Sequence, residues 1–261
     1  MSIKMTNSTN SKLFVDDKDE SYSVDILILK NHIYSYYRVN RKSDNQYFIL
    51  KEFYDNDSQF DWETKCYLDL DHPNVMKTFI LGRKDRIILF PYKINGDLFM
   101  RKYFLSDLDE NTSKNIFKKL IHTLLYIHNQ KIIHKNIIMS NILLGDNEEP
   151  LIIGFSMTGE ESNVKAPETI LYGKYDEKTD IFNLGVVLFE IITGHIPFQV
   201  AKYKDWWYNK IIKKDYELFW KAHESNNKFN EEFKDLINKM LCFEPTDRPN
   251  LYEIQRHKWL E

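Results

Sequence analysis

The spacing of apolar residues changes once along this chain, at the segment "PYKINGD". Before it, stretches such as "VDILIL" and "QYFILKEF" are rich in β-branched and aromatic residues and are bounded by turn-forming residues, which predicts strands. After it, "NTSKNIFKKLIHTLLYIHNQK" places Ile116, Leu120 and Leu124 on one face of a helix. The sequence therefore predicts a β-rich region followed by a larger helical region.

The β-rich region is predicted to contain five strands and a single helix. The helix is predicted in "DWETKCYLDLD", where Trp62, Cys66 and Leu70 recur at the spacing of one helical face. Pro73 ends this helix, because proline cannot continue one. The last two strands are predicted in "VMKTFIL" and "DRIILFPY".

The helical region contains a largely apolar segment, "TDIFNLGVVLFEIITG", which predicts a buried helix ending at Gly194. Thr112 or Ser113 is predicted to cap the start of the long helix before it. Residues 1–22, in contrast, are rich in Ser, Asn, Thr, Asp and Lys. They are predicted to form a flexible N-terminal segment.

Composition excludes several classes of protein. The 261 residues are 43% hydrophobic, which predicts a packed core, and the net charge of −3 provides no basic field for nucleic acid or membrane surfaces. Cys66 and Cys242 have no partner histidines at metal-binding spacing, so a zinc site is not expected. Neither a membrane span nor a secretory signal is evident. We expect a soluble cytoplasmic protein, with a nuclear location left open.

Six short motifs follow one another in a defined order. Lys51 closes "FILK", Glu63 lies on the predicted helix before "HPN", and His134 begins "HKNIIMSN". The other three are "APE" ending at Glu168, "DIFNLG" beginning at Asp180, and "DRP" containing Arg248. This order and spacing resemble the eukaryotic protein kinases, and the resemblance covers about residues 24–260.

The resemblance implies an α+β protein with the bilobal protein kinase fold. An antiparallel five-stranded sheet with one helix would form the N-lobe, and the C-lobe would be mainly helical. The kinase-like domain would cover residues 23–261, divided into an N-lobe (about 23–91), a hinge (about 91–97) and a C-lobe (about 98–261).

The resemblance also implies roles for the matched residues. In such kinases, the lysine at the position of Lys51 holds the nucleotide phosphates and pairs with the glutamate at the position of Glu63. The remaining matched residues are implied to maintain the fold rather than to perform the chemistry. They are His134, Phe155, Glu168, Asp180 and Arg248.

The residues that perform the chemistry in this family differ in this chain. Asn136 stands at the position of the catalytic aspartate, and an amide cannot accept the proton of a substrate hydroxyl. Gly154 stands at the position of the aspartate that binds Mg²⁺, in a motif that reads "GFS" instead of "DFG". Ile138 replaces a lysine two residues after the base. Asn141 is retained, but one neutral amide is a poor ligand for Mg²⁺, so no metal is expected.

The glycine-rich loop that covers the phosphates in such kinases is also replaced. Leu29, Asn31 and Tyr34 stand at its three glycine positions. Bulky residues also occupy further positions that would line the nucleotide pocket: Tyr36, Ile49, Phe90 and Leu143. They are expected to fill the pocket, although Tyr and Ile are also ordinary strand residues.

These departures predict an inactive protein kinase, and so not an enzyme. It would act in signalling as a protein-binding scaffold or regulator of a partner such as an active kinase or its substrate. No cofactor is expected, with ATP binding without a metal left as an alternative. Two other functions stay open: a weak or atypical Ser/Thr kinase, and a nucleotide-binding module without phosphoryl transfer. The former would use Lys51, Asn141 and an acidic residue such as Glu160 or Glu161.

Two further segments are candidates for regulation or for contact with a partner. Thr158 and Ser162 are poor candidates for control by phosphorylation, because few basic residues lie near them in the sequence. Trp206, Trp207 and Trp220 are many tryptophans for one segment. They indicate either a contact surface or, as the stronger expectation, packing within the helical lobe.

Overall fold

The computed structural model describes residues 6–8, 11–16, 19–54, 57–80, 86–105, 108–156, 165–224 and 228–261. The chain divides into two compact units, Met1–Ile94 and Asn95–Glu261, called here the first and the second unit. The division falls within the segment predicted as a hinge. The first unit is mainly β-sheet and the second is mainly helical, which confirms the predicted α+β fold class.

The first unit is built on an antiparallel sheet of seven strands in the order β1-β2-β3-β4-β5-β7-β6. Its strands are β1 (Thr6–Ser8), β2 (Ser11–Val15), β3 (Ser21–Lys30), β4 (Tyr34–Arg41), β5 (Tyr47–Phe53), β6 (Phe79–Ile80) and β7 (Ile87–Pro91). One face carries a core that contains Val39, Leu50 and Leu89. The five predicted strands are all present among them.

Two strands come from the segment predicted to be flexible, and the structure corrects that prediction. Ser11–Val15 pairs antiparallel with the start of β3, and Phe14 faces Tyr22 in this register. Phe14 is fully buried in the core of the sheet, where its ring lies 6.1 Å from that of Tyr37. The burial of Phe14 and the backbone pairing with β3 together hold this short strand on the sheet. The prediction rested on the polar average composition of residues 1–22 and missed the short apolar run of Leu13, Phe14 and Val15.

Helix α1 (Asp57–Asp69) is the helix predicted in the first unit. Its inner face carries Phe60, Glu63 and Cys66, all buried and spaced three residues apart, as one face of a helix requires. The ring of Phe60 packs against Phe53 of β5, with centroids 5.6 Å apart. This contact places α1 beside β5 and so positions Glu63 near Lys51.

The second unit contains eight of the nine α-helices in the described residues. They are α2 (Leu98–Met100), α3 (Glu110–Asn129), α4 (Pro167–Tyr172), α5 (Glu177–Thr193), α6 (Trp206–Ile212), α7 (Tyr216–His223), α8 (Glu231–Met240) and α9 (Leu251–Gln255). Helix α5 is largely buried, and Gly194 ends it in a left-handed conformation at φ 79°, as predicted.

The start of α3 differs from the prediction. Its cap is Asp109, whose carboxylate accepts a hydrogen bond of 2.7 Å from the backbone N–H of Thr112. Thr112 and Ser113 instead lie inside the first turn. A carboxylate at this position also interacts favourably with the positive end of the helix dipole, which a hydroxyl cannot do.

Strands β8 (Ile142–Leu144) and β9 (Pro150–Ile152) form a small hairpin in the second unit. Ile142 faces Ile152 in its register. The loop that contains His134 and Asn136 precedes β8, and Gly154 follows β9. The hairpin therefore brings the loop and Gly154 together.

Among the described residues, every helix is too short or too polar to cross a lipid bilayer.

Candidate functional site

A buried ion pair joins α1 to the sheet in the first unit. The Nζ of Lys51 lies 2.7 Å from Oε2 of Glu63, and the two side chains are 1% and 0% exposed. Tyr67 donates a hydrogen bond of 3.4 Å from its hydroxyl to Oε1 of the same carboxylate. Removing one partner of such a pair costs about 3–5 kcal/mol, because the other charge is left buried. The pair therefore fixes α1 and β5 in a defined geometry.

Three aromatic rings surround the ammonium group of Lys51. Its Nζ lies 4.0 Å from the ring centre of Tyr34, 4.7 Å from that of Phe53 and 5.2 Å from that of Tyr36. A cation is attracted to the face of an aromatic ring, and the attraction grows when both are shielded from water. The rings therefore stabilise the charge of Lys51 and also cover it.

The turn between β3 and β4 contains Asn31, which is predicted at a glycine position of the kinase glycine-rich loop. The side-chain oxygen of Asn31 accepts hydrogen bonds from the backbone N–H groups of Ile33 (2.8 Å) and Tyr34 (2.9 Å). An asparagine often closes a turn in this way. These two N–H groups are engaged within the chain, whereas a glycine-rich loop directs its N–H groups at phosphate oxygens.

The residues predicted at the other glycine and pocket positions differ in their exposure and in their neighbours. Leu29 lies on β3 and is 46% exposed, while Tyr34 is buried beside Lys51. Ile49 and Phe90 face one another across β5 and β7. Phe90 is buried, and its ring packs 5.7 Å from that of Tyr67.

Leu143, the last predicted pocket residue, belongs to β8 of the second unit and is half-buried. It forms a backbone bridge with Asp97.

In the second unit, Asp180 holds the start of the loop at His134. Its fully buried carboxylate accepts hydrogen bonds from the backbone N–H groups of His134 (2.9 Å) and Lys135 (2.8 Å). The Nε2 of His128 lies 2.8 Å from the same carboxylate. Lys135 has a φ of 65°, a left-handed conformation that few residues adopt without support. Asp180 provides this support, and His128 is a partner that the sequence did not reveal.

The imidazole of His134 is a structural group. It is fully buried, its ring lies 4.5 Å from that of Phe155, and its Nε2 lies 3.0 Å from the carbonyl oxygen of Ile153. The backbone N–H of Asn136 donates to its Nδ1 at 3.2 Å. Burial lowers the pKa of His134 to about 4. Both ring nitrogens are thus engaged, and an imidazole with so low a pKa is a weak base, so the surroundings of His134 suit it to supporting the loop rather than to accepting a proton.

Asn136 is buried among backbone groups of the loop. Its Nδ2 lies 3.5 Å from the carbonyl oxygen of Gly154, and its own carbonyl accepts a hydrogen bond of 2.9 Å from Nδ2 of Asn141. The loop therefore brings together the residues predicted at the base position, the metal position and the retained asparagine. An amide can donate or accept a hydrogen bond to a hydroxyl group, but it cannot take up its proton.

In the conformation that the loop adopts, there is no space for a side chain at Gly154. Its φ is 78°, and a Cβ atom added there would lie 2.8 Å from Cγ and Oδ1 of Asn141. An aspartate at this position would require Asn141 to move. Among the described residues, no three His, Cys, Asp or Glu side chains form a group that could hold a metal ion. The residues present do not fit the Mg²⁺ site of the protein kinases.

A second buried ion pair lies away from this loop. Arg248 donates from Nη1 and Nη2 to the two carboxylate oxygens of Glu168, at 2.8 and 2.7 Å. Its Nε also donates to the carbonyl of Cys242 at 2.9 Å. This paired geometry is the strongest that arginine makes with a carboxylate. It ties α4 to the segment before α9, which is an architectural role.

The tryptophans of the candidate contact surface differ in their exposure. Trp220 is buried and donates a hydrogen bond of 3.0 Å to Asn238. Trp206 and Trp207 are 52% and 38% exposed. The four candidate residues for phosphorylation or for acidic groups lie outside the described residues: Thr158, Glu160, Glu161 and Ser162.

A sheet with a buried lysine–glutamate pair, together with a helical unit whose histidine loop is held by an aspartate, defines a protein of the kinase class. The chain matches the protein kinase domain family over residues 32–260, which is most of its length. It belongs to the protein kinase family, and the predicted resemblance and fold are confirmed.

Several curated kinases are similar to this chain. An Aurora kinase of Saccharomyces cerevisiae is 28% identical over 79% of the chain and 58% of its own length. Aurora kinase A-B of Xenopus laevis is 28% identical over 76% of the chain and 50% of its own length. Sperm motility kinase 3A of Mus musculus is 27% identical over 76% of the chain and 41% of its own length. The chain thus matches between about two fifths and three fifths of these relatives.

These comparisons correct one prediction. The residues Asn136 and Gly154 led to the expectation that the chain is not an enzyme. The relatives it matches are named as kinases, which points to an enzyme. The alternative of a weak or atypical Ser/Thr kinase agrees with them better than an inactive kinase does.

Proposed function

We propose that this chain is a slow, atypical Ser/Thr protein kinase that transfers the γ-phosphoryl group of ATP to a protein hydroxyl. The observation that carries the proposal is the buried ion pair between Lys51 and Glu63. A buried pair loses solvation, and apolar residues of similar size often replace one without loss of stability. An ammonium group held in this geometry is therefore better explained by a role in binding phosphate than by stability alone.

Lys51 is the phosphate-binding group in this proposal. Phosphoryl transfer needs positive charge beside the phosphate oxygens, because negative charge is spread over them in the transition state. Glu63 orients the lysine, and α1 keeps Glu63 in place. No step is assigned to Mg²⁺, since Gly154 and Asn141 do not fit such a site. The electrostatic contribution of the first unit therefore rests mainly on Lys51.

Asn136 would orient the substrate hydroxyl without removing its proton. The transition state of phosphoryl transfer is loose in most analyses, so little proton transfer is needed before the P–O bond forms. The oxygen–phosphorus bond to ADP breaks, the bond to the substrate oxygen forms, and the hydroxyl proton passes to a phosphate oxygen or to water. Loss of a general base typically lowers the rate by about 10²–10⁴-fold. Slow transfer is the expected result.

Incorporation of label from γ-labelled ATP into the chain itself and into a mixture of protein substrates tests the proposal. We expect slow incorporation that Lys51→Met removes and that Lys65→Met, at an exposed position on α1, leaves unchanged. Lys51→Arg retains the charge with a different geometry and should lose most of the rate. Thermal unfolding of each variant distinguishes a lost function from a lost fold.

A contaminating kinase is the main alternative source of label. Equal incorporation by the wild-type chain and a folded Lys51→Met variant would contradict the proposal. The proposal would also be contradicted if the wild-type chain incorporated no label at millimolar ATP, even if it bound ATP.

A further inference from the structure

Helix α6 has a buried face and an exposed face. On the buried face, Tyr208 and Ile211 pack into the second unit, and the ring of Tyr208 lies 4.6 Å from that of Phe198. On the exposed face lie Trp206 and Trp207, whose rings pack edge to face with centroids 5.7 Å apart. The core therefore holds α6 in place through residues other than these two tryptophans, which remain largely in contact with solvent.

Lysines surround the two tryptophans. Residues 202–214 contain five lysines and one acidic residue, Asp205. Asp205 is buried, and its carboxylate accepts hydrogen bonds from the backbone N–H groups of Gln199 (2.9 Å) and Tyr208 (2.8 Å). Four of the lysines are exposed: Lys202, Lys204, Lys213 and Lys214. The exposed side chains of residues 202–214, called here the α6 patch, are therefore positively charged, although the net charge of the whole chain is −3.

Lys210, the fifth lysine, lies between the charges and the tryptophans. Its Nζ lies 5.2 Å from the ring centre of Trp206 and 3.4 Å from Oδ2 of Asp215. Trp206, Lys210 and the C-terminal cap Lys213 are spaced by four and three residues, so they lie along one side of the helix. The aromatic rings and the positive charges therefore form one continuous surface.

The loop before α6 is held in position and belongs to the same surface. The carbonyl oxygen of Tyr203 accepts a hydrogen bond of 3.0 Å from Nδ2 of Asn209, and its ring lies 5.4 Å from that of Phe243. The side chain of Tyr203 is nevertheless 60% exposed. Because the loop and the helix are fixed within the second unit, little conformational entropy is lost when the α6 patch binds a partner.

The residue types of the α6 patch favour a lipid surface over a nucleic acid or a protein. Residues 202–214 contain no arginine. Arginine is the residue that recognises phosphates with a fixed geometry, and it is enriched at the centres of protein interfaces. Lysine instead carries a point charge on a flexible apolar stem, which suits a layer of mobile headgroups. Tryptophan and tyrosine are enriched in the same interfacial layer of membranes.

We propose that the α6 patch binds the surface of a membrane that contains anionic lipids. The lysines contact the headgroups, and Trp206 and Trp207 enter the interfacial layer. Each lysine near such a surface strengthens binding by about fivefold, so four exposed lysines give a preference for anionic over neutral lipid on the order of 10²–10³-fold. This binding requires no phosphoryl transfer, so it does not depend on the proposed function.

Co-sedimentation with lipid vesicles tests the proposal. The chain is mixed with vesicles of phosphatidylcholine, either alone or with about 30% phosphatidylserine, at about 0.1 M salt. We expect binding to the anionic vesicles and much weaker binding to the neutral ones. Binding should weaken at about 0.5 M salt, because salt screens exposed charges. Tryptophan fluorescence should also shift to shorter wavelength on binding.

A charge variant tests the contribution of the lysines. Lys202→Glu combined with Lys204→Glu should weaken binding to anionic vesicles by about 30-fold or more, because two attractive charges are replaced by repulsive ones. Lys65→Glu combined with Lys118→Glu is the matched control. It changes the net charge by the same amount at exposed positions on α1 and α3, and it should leave the affinity nearly unchanged.

A second variant tests the contribution of the indole rings. Trp206→Ala combined with Trp207→Ala should weaken binding by about tenfold or more, since less apolar surface leaves water, and should remove the fluorescence shift. Tyr252→Ala, at a position on α9 that is 52% exposed, is the control and should bind like the wild-type chain. Thermal unfolding checks that each variant is folded.

Three results would overturn the proposal: no binding to anionic vesicles at millimolar lipid, equal binding to neutral vesicles, or binding that both variants of the α6 patch leave intact. A single-stranded oligonucleotide and polyglutamate are the competing probes. Binding of either one through the lysines of the α6 patch, without binding to vesicles, would assign the surface to a nucleic acid or to an acidic protein and would also overturn the proposal.

Discussion

The ring centre of Tyr34 lies 4.0 Å from the Nζ of Lys51. Tyr34 stands at a position where the protein kinases carry glycine, and Lys51 matches the lysine that holds the phosphates. The side chain at the first position therefore covers the charged group at the second. A phosphate group bound at Lys51, as the proposed function requires, would compete with the ring for the ammonium group, so nucleotide affinity would depend on how readily Tyr34 moves.

Replacing Tyr34 with alanine should strengthen ATP binding and weaken the fold. The substitution uncovers Lys51, but it also removes the contact of Tyr34 with the ring of Phe53, whose centroid is 5.8 Å away. Truncation of a buried aromatic residue typically costs about 3–5 kcal/mol of unfolding free energy. Calorimetric titration with ATP and urea unfolding measure the two effects. Unchanged or weaker ATP binding by the folded variant would show that the ring does not cover the phosphate site.

Asn136→Asp should raise the rate of phosphoryl transfer by about 10²-fold, because a carboxylate can accept the hydroxyl proton. The side chain already lies in the loop that Asp180 supports, so the new group needs no change in the backbone. Asn136→Ala is the control and should give no increase. Initial rates of label incorporation measure both, and a rate for the aspartate variant at or below that of the alanine variant would contradict this assignment of Asn136.

Gly154→Ala should destabilise the second unit by about 1–3 kcal/mol, the usual cost of a left-handed backbone in a residue with a side chain. The clash of its Cβ with Asn141 adds to this cost. In an Asn141→Ala background only the backbone part remains, so the same substitution should cost less. A double-mutant cycle in urea measures the difference. Equal costs in the two backgrounds would show that Asn141 moves aside freely.

Acid should destabilise the fold through two buried histidines. Burial lowers the pKa of His134 and of His223 to about 4, from 6.5 in the unfolded chain. The unfolded state thus binds more protons between about pH 6.5 and 4. The stability that these neutral rings provide is complete above about pH 6.5 and is lost as the pH falls towards 4.

The unfolding free energy of a His223→Gln variant should accordingly depend less steeply on pH across this interval. Urea unfolding at half-unit steps of pH compares the variant with the wild-type chain. If the unfolding free energy depended equally steeply on pH in the variant and in the wild-type chain, His223 would be protonated in the folded state as readily as in the unfolded state. Burial raises the pKa of Glu190 to about 7, so this carboxyl group lowers the unfolding free energy as the pH rises, opposite to the buried histidines. The variant and the wild-type chain must therefore be compared over the same interval of pH.

Much of the fold could be predicted because its signals are local. The apolar spacing predicted α1 and α5, and Gly194 marked the end of α5. The order of the motifs singled out Asp180 and Arg248 as residues that maintain the fold, and both make buried hydrogen bonds. Strand β2 could not be found in this way, because its apolar run of Leu13, Phe14 and Val15 is too short to show a periodicity within a polar stretch.

The candidate site was harder to predict because it depends on side-chain packing. The sequence shows that Asn31 and Tyr34 are not glycine, but not that one closes the turn and the other covers Lys51. Likewise, Gly154 was recognised as a missing carboxylate. That Asn141 fills the adjacent space depends on side-chain conformations, which no spacing encodes.

The hydrogen bonds that Asp180 makes to the loop at His134 also affect the thermodynamics of ligand binding. Ordering a backbone residue costs about 1–2 kcal/mol in conformational entropy. Because a side chain of α5 fixes His134 and Lys135, this entropy is lost when the second unit folds and not when a ligand binds. A substrate segment that contacts the loop would then meet a surface that is already rigid, and the entropy change on binding would come mainly from the segment and from released water.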